Sequence, residues 1–212
     1  WASEAMKVAP DTAYATQLLD EAGWAPGDDG IRVKEGDGDA TPAGTRCAFD
    51  LWYAAGDSTR QALAYDFAEQ CRALGIEVTV KGAGWDDIYA RQYADPVLWG
   101  WGSNSPVELY ELTYSEGWGN YASYRSPEVD AQLEAAQAAP TVEEPFPHYQ
   151  AAQWDAATGT GVAPEGAATW VWLANVDHLY FERDGLEVAE QKPHPHGHGW
   201  SLVNNIDRWS WA

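Results

Sequence analysis

Three histidines alternate in Pro193-His194-Pro195-His196-Gly197-His198-Gly199-Trp200. On an extended backbone His194, His196 and His198 would point one way, and imidazole is a common ligand for zinc, nickel or copper. The interleaved Pro and Gly argue for a stiff, irregular connection instead, and no carboxylate stands close by in sequence to orient the rings. Paired acids occur at Asp86-Asp87 and Glu143-Glu144. General acid/base catalysis needs two carboxylates facing one cleft with separated pKa values, which adjacency in sequence does not supply. There is no Gly-x-Ser-x-Gly elbow and no cysteine beside a convincing base. The chain reads as a binder without a cofactor rather than an enzyme. Its most informative segment is Leu98-Trp99-Gly100-Trp101-Gly102-Ser103-Asn104-Ser105-Pro106. A strand that runs through glycines into small polar residues and then a capped helix exposes backbone amides and carbonyls beside large aromatic faces. A packed strand-helix corner would look similar, but Trp99 and Trp101 alternate onto one face, and two large rings exceed what a corner needs.

The elements that must position this ledge follow from local pattern. Asp11 caps a helix whose Ala15, Leu18, Leu19 and Ala22 recur at helical spacing, and Gly23 stops it. The stretch 25–44 reads as turn and loop, with a short strand near Ile31 to Lys34. Arg46 to Tyr53 alternates as a strand. Ser58-Thr59-Arg60-Gln61 reads as a capping box, with Ser58 the cap and Gln61 reaching back. Leu63, Phe67, Cys71 and Leu74 then share one helical face up to Gly75, and Ile76 to Val80 alternates again. Strand, helix, strand over this length predicts parallel pairing. Trp85 to Tyr93 reads as a short helix, Val97 to Trp101 as a buried strand, and Pro106 to Tyr114 as a helix capped by Ser105. Ser126-Pro127-Glu128 opens another helix with Val129, Leu133 and Ala136 inward, and a further helix runs from about Phe146 to Ala157. The glycine-rich loop 158–167 lacks the Lys-Ser or Lys-Thr of a phosphate cradle. Thr169 to Leu173 and His178 to Phe181 read as strands. The order gives an α/β fold with a mixed sheet flanked by helices.

Composition bounds the partners. The 212 residues carry 12 Lys plus Arg against 33 Asp plus Glu, a formal charge of -21, so nucleic acid and anionic membranes are disfavoured partners. No stretch approaches the roughly 20 uninterrupted apolar residues of a spanning helix, and a soluble chain is expected. The 13 Trp and 11 Tyr exceed the needs of one core, so some rings are expected to face a ligand or another domain. Cys47 and Cys71 lie on a strand and the following helix; a disulfide and two buried thiols both fit that placement. Trp1 is followed by no charged n-region or apolar h-region, which reads as a piece of a longer chain.

Five motifs in order carry a resemblance: Leu18-Leu19-Asp20-Glu21-Ala22-Gly23-Trp24; the strand with Gly56-Asp57-Ser58 and its helix; Leu74-Gly75-Ile76-Glu77-Val78; the Trp-Gly ledge ending at Pro106; and Asn120-Tyr121-Ala122-Ser123-Tyr124-Arg125-Ser126-Pro127-Glu128-Val129-Asp130. Together they resemble the family 5 extracellular solute-binding proteins, the dipeptide, oligopeptide and nickel receptors of ABC importers. The resemblance implies one lobe of a two-lobed receptor of the periplasmic-binding-protein type. Residues 1–184 would form the solute-binding C-terminal lobe, and 185–212 would return toward a missing first lobe. It implies a peptide, metal chelate or similar small solute as cargo and a membrane permease as partner. It also implies a periplasmic location or a surface lipoprotein. Trp101 falls where family members place an aromatic against the ligand, Tyr53 and Gly56 would face the same cleft, and Trp99, Gly102, Ser103 and Asn104 complete the expected site. The Asp that peptide-binding members carry before the proline is missing from Gly102-Ser103-Asn104-Ser105. Capture of a peptide ammonium by that clamp is therefore disfavoured, because a buried ammonium without a carboxylate is costly. The competing expectation is a carbohydrate-binding module using exposed Trp, which would be an all-β sandwich.

Overall fold

The computed structural model describes residues 2–38, 41–91, 94–101, 106–177, 179–190 and 205–212. They divide into two compact units, one of residues 9–100 and one of 1–8 with 101–212.

In the unit of residues 9–100, helix α1 (Thr12–Glu21) starts where the Asp11 side chain accepts from the Tyr14 amide, and the chain turns away at Gly23 with φ of 73°. Strands β1 (Trp24–Pro26) and β2 (Arg32–Lys34) form an antiparallel pair. β3 (Ala48–Ala54), α2 (Ser58–Ala73) and β4 (Glu77–Ala83) form the expected strand-helix-strand unit, with β3 and β4 parallel and in register from Ala48 opposite Glu77 to Ala54 opposite Ala83. After α3 (Trp85–Ala90), the short strand β5 (Val97–Leu98) joins the other edge of β3, giving a parallel sheet of order β4-β3-β5. Among the described residues, antiparallel pairing occurs in the two-stranded ribbons β1–β2 and Leu186–Glu187 with Ser210–Trp211, and at isolated bridges between Val33 and Arg46 and between Asp155 and Thr160. Leu51, Tyr53 and Ala64 are buried between sheet and α2, with Phe49, Phe67, Val78, Val80 and Leu98 packed around them.

Arg32 ties the ribbon to this layer. It is buried, its Nε donates to the Leu74 carbonyl at 2.8 Å, and its Nη1 reaches Asp20 and the Trp24 carbonyl. Gly75, at φ of 80°, ends α2 beneath it: a Cβ there would stand 2.9 Å from Arg32 Cγ, so conformation and space both require glycine.

In the other unit, α4 (Val107–Thr113), α5 (Pro127–Ala138) and α6 (Phe146–Gln153) surround a core of Val129, Leu133, Ala136, Tyr149, Ala152 and Val162. Ser126 caps α5 as the sequence indicates, accepting from the Val129 amide. The Ser3 amide donates to Gln153 Oε1 at 2.9 Å, which fastens the N-terminal segment to the end of α6. β6 (Leu186–Glu187) pairs antiparallel with β7 (Ser210–Trp211).

Several elements depart from the sequence expectation. The cap of α2 is Asp57, not Ser58: its Oδ1 accepts from the Arg60 amide at 2.9 Å, a carboxylate outcompeting the hydroxyl one residue on. Gln61 does not reach back either, since its Nε2 donates to Tyr53 Oη at 2.9 Å. The helices that begin at Trp85 and Phe146 end earlier than expected, at Ala90 and Gln153. Pro106 occupies the cap position of α4, and Ser105 lies outside the described residues. Residues 169–173 and 179–181 form no strand. Val171, Trp172, Leu179, Tyr180 and Phe181 there stand exposed, without the half-buried face on which strand propensity depends. Cys47 and Cys71 are free thiols. No described helix is long and apolar enough to cross a membrane.

Candidate binding corner

The parallel sheet delivers three chain segments to its C-terminal edge: the turn after β3, the start of α3 after β4, and Trp99-Gly100 after β5. That edge is where open α/β sheets present ligand-facing loops. Gly56 makes the first turn, at φ of 91° with no described residue near the position a Cβ would take, so its glycine is a requirement of backbone conformation. Tyr53 does not face an open cleft in this structure. It is 7% exposed, its hydroxyl accepts from Gln61, and its ring lies over Gly82, its register partner on β4, where a Cβ would meet the ring at 2.9 Å. An alternating strand must put Tyr53 and Leu51 on the same side, and that side is the one α2 covers.

The rings on the corner are Trp85, Tyr89 and Trp99. Trp85 and Trp99 have centroids 4.6 Å apart at 56°, Trp85 stacks on Tyr89 at 5.8 Å, and Tyr89 meets Trp99 at 5.9 Å. Trp85 and Trp99 are half-buried and Tyr89 is exposed, so the cluster presents aromatic surface at the edge of the sheet. Such tilted and offset pairs are the favoured geometries of aromatic quadrupoles. Arg60, in the first turn of α2, pairs with Asp57, and its guanidinium lies 5.8 Å over the Trp85 ring. The Asp57 carboxyl is held below its ordinary pKa, first by the Arg60 amide it caps and then by the Arg60 charge. Sequence pattern alone passed over Trp85, Tyr89 and Arg60. The legible signal was the i, i+4 spacing of Trp85 and Tyr89 on one short helix face.

Trp101 belongs to the other unit. It is half-buried and meets Trp118 edge-to-face at 5.4 Å and 66°, while Trp118 is 62% exposed. The loop that holds Trp118 is built around Asn120. Its Nδ2 donates to the carbonyls of Tyr114 and Tyr124 at 3.1 and 2.7 Å, and its Oδ1 accepts from the Tyr124 amide at 3.1 Å. Gly102, Ser103 and Asn104 lie outside the described residues, as do His194, His196 and His198. Among the described residues no group of three or more His, Cys, Asp or Glu is arranged to hold a metal ion. A cavity of about 460 Å³ lies elsewhere, between α1 and the β1–β2 ribbon, lined by Thr16, Asp20, Trp24, Arg32 and Glu35. The Arg32 on its wall is already bonded to Asp20 and to backbone carbonyls, a structural role.

The scaffold is an α/β fold with aromatic faces at the C-terminal edge of a parallel sheet. The bacterial extracellular solute-binding proteins of family 5, through the middle segment of their family profile, match residues 1–122, and this chain belongs to that family. Protein XP55 of Streptomyces lividans is 35% identical over 190 residues, a match that spans 87% of this chain but 32% of that protein. The fold is that of NikZ from Campylobacter jejuni, solved with Ni(L-His), with a TM-score of 0.68 at 23% identity over 94% of this chain and 39% of that one. It is also that of the oligopeptide-binding protein AppA from Bacillus subtilis, solved with a nonapeptide, with a TM-score of 0.60 at 21% identity over 99% of this chain and 40% of that one. The chain therefore spans about a third of the length of its named sequence relative. The α/β architecture with six α-helices among the described residues overturns the all-β module reading.

Proposed function

We propose that this chain is part of the solute-binding component of an ABC-type importer, holding a small solute and delivering it to a membrane permease. Residues 1–184 would form the C-terminal lobe of a two-lobed receptor, with 185–212 leading back toward the first lobe. Closure of two lobes over cargo is favoured because the solute contacts both only in the closed state. The observation that carries this reading is the convergence of Trp85, Tyr89 and Trp99 on the C-terminal edge of the parallel sheet in a chain of this family. Trp99, beside the Trp85 and Tyr89 rings, is proposed as a cargo contact, and Trp101, Gly102, Ser103 and Asn104 are each proposed as further contacts from their place in the sequence. Gly56 shapes the turn, and Tyr53 supports the edge from beneath. The working location is outside the cytoplasmic membrane, in the periplasm or as a surface lipoprotein.

NikZ was solved with a nickel–histidine complex and AppA with a peptide, so the cargo here falls within peptide-like solutes or metal chelates. The absence of an Asp from Gly102-Ser103-Asn104-Ser105 favours a cargo held by ring stacking and backbone polar groups over one held by its ammonium. The test is thermal unfolding of the receptor that carries this chain against a pentapeptide, a nonapeptide and Ni(II)–L-histidine. One class should raise Tm by mass action, and Trp99→Ala should diminish the rise. A receptor whose Tm responds to none of the three, or equally with and without Trp99, would refute the reading.

A further inference from the structure

Arg60 touches three segments that reach the sheet edge separately. Its backbone amide and guanidinium both engage Asp57 in the turn after β3. Its guanidinium covers the ring of Trp85 at the start of α3. Its Nη2 lies 2.8 Å from where a Cβ on Gly100, after β5, would stand. Gly100 has no left-handed φ, so its backbone conformation is open to any L residue and glycine there answers a demand for space. A planar guanidinium meets all three demands at once, giving an edge to a carboxylate and a face to an indole, which the compact charge of a lysine cannot do.

We propose that Arg60 is the positioning residue of the aromatic corner, bracing Trp85 against Trp99 through the space that Gly100 leaves open. This rests on the reading of that corner as a cargo surface and adds to it. With the Arg60 charge paired to Asp57, the braced corner offers cargo chiefly the faces of its rings. It suits ring-bearing or CH-rich solutes, which bind by stacking.

The experiment needs no cargo, so its failure is distinct from failure of the transport reading. Trp85 and Trp99 are close enough for exciton coupling, and the ultraviolet circular dichroism lost in Trp85→Phe defines their signature in the purified chain. Arg60→Met and Gly100→Ala are each expected to lose most of that signature while helix content stays at the wild-type level. The double variant should lose no more than either alone, because both act by removing the same guanidinium. A signature retained in Arg60→Met, or losses that add in the double variant, would overturn the proposal. Should Arg60→Met fail to fold, Gly100→Ala decides alone, since among the described residues its new Cβ meets only the guanidinium of Arg60. An unchanged spectrum in that variant would overturn the brace.

Discussion

Asn120 lies at the centre of the loop that carries Trp118, and replacing it distinguishes a hydrogen-bonded plug from a passive loop residue. Its amide makes two good donations, to the Tyr114 and Tyr124 carbonyls, and accepts one bond from the Tyr124 amide. At about 1 kcal/mol net for each bond, and with water able to enter a half-buried site, Asn120→Ala should cost about 2–3 kcal/mol. Asn120→Asp keeps the shape but turns the donor into a second acceptor aimed at carbonyl oxygens, so at neutral pH it should cost at least about 1 kcal/mol more than Ala. The same geometry raises the pKa of the new carboxyl, since its protonated form can donate. The folded state then holds more protons than the unfolded state between the unfolded value near 3.9 and the raised folded value. The variant's stability is therefore greatest at low pH and is lost as pH rises through that window. Each unit of raised pKa makes the change about 1.4 kcal/mol. Urea denaturation of wild type, Asn120→Ala and Asn120→Asp at about pH 4 and at neutral pH gives the comparison, with wild type correcting for other groups. If Asp and Ala lose equal stability at both pH values, the amide is not donating inward and the plug is wrong.

Leu133 is fully buried between α5 and α6, so Leu133→Ala should cost about 3 kcal/mol in urea denaturation, against less than about 0.5 for the exposed Val142→Ala. The depressed pKa of Asp57 means that its contribution to stability is present above its unfolded value and disappears as pH falls through the folded one. Asp57→Asn, which retains a good helix cap, should flatten the acid limb of the stability profile below about pH 4, and an unaltered limb would contradict the pairing with Arg60. Burial raises the pKa of both Cys47 and Cys71, leaving less thiolate at neutral pH. Native protein should react slowly with a thiol reagent, the buried Cys71 more slowly than the half-buried Cys47, and denatured protein should release two thiols; fast native labelling of Cys71 would count against its burial.

What the sequence revealed and what it hid divide along a physical line. Local signals were legible: Asp11 and Ser126 as caps, Gly23 and Gly75 as helix stops, and the parallel β3–α2–β4 unit all follow from chemistry within a few residues. The cap of α2 slipped by one position because two side chains compete there, and the outcome depends on Arg60, whose charge favours Asp57 over Ser58. Residues 169–173 and 179–181 read as strands from local propensity, which is realised only on a half-buried pleated surface, and their side chains are largely exposed.

The corner shows the same limit at the level of the site. Trp99 was visible because it sits in an unusual run of Trp and Gly, whereas Trp85 and Arg60 became relevant only when parallel pairing carried the ends of β3, β4 and β5 to one edge. Tyr53 illustrates the converse. Its place at the end of a strand marked it for an open face, yet alternation along β3 sends it under α2, where Gln61 takes its hydroxyl. The phase of a strand relative to its covering helix, more than proximity to the strand's end, thus decides which aromatic is left exposed. By that criterion the aromatic surface at this edge belongs to residues beyond the strand ends, Trp85, Tyr89 and Trp99, while the strand residue Tyr53 packs beneath α2.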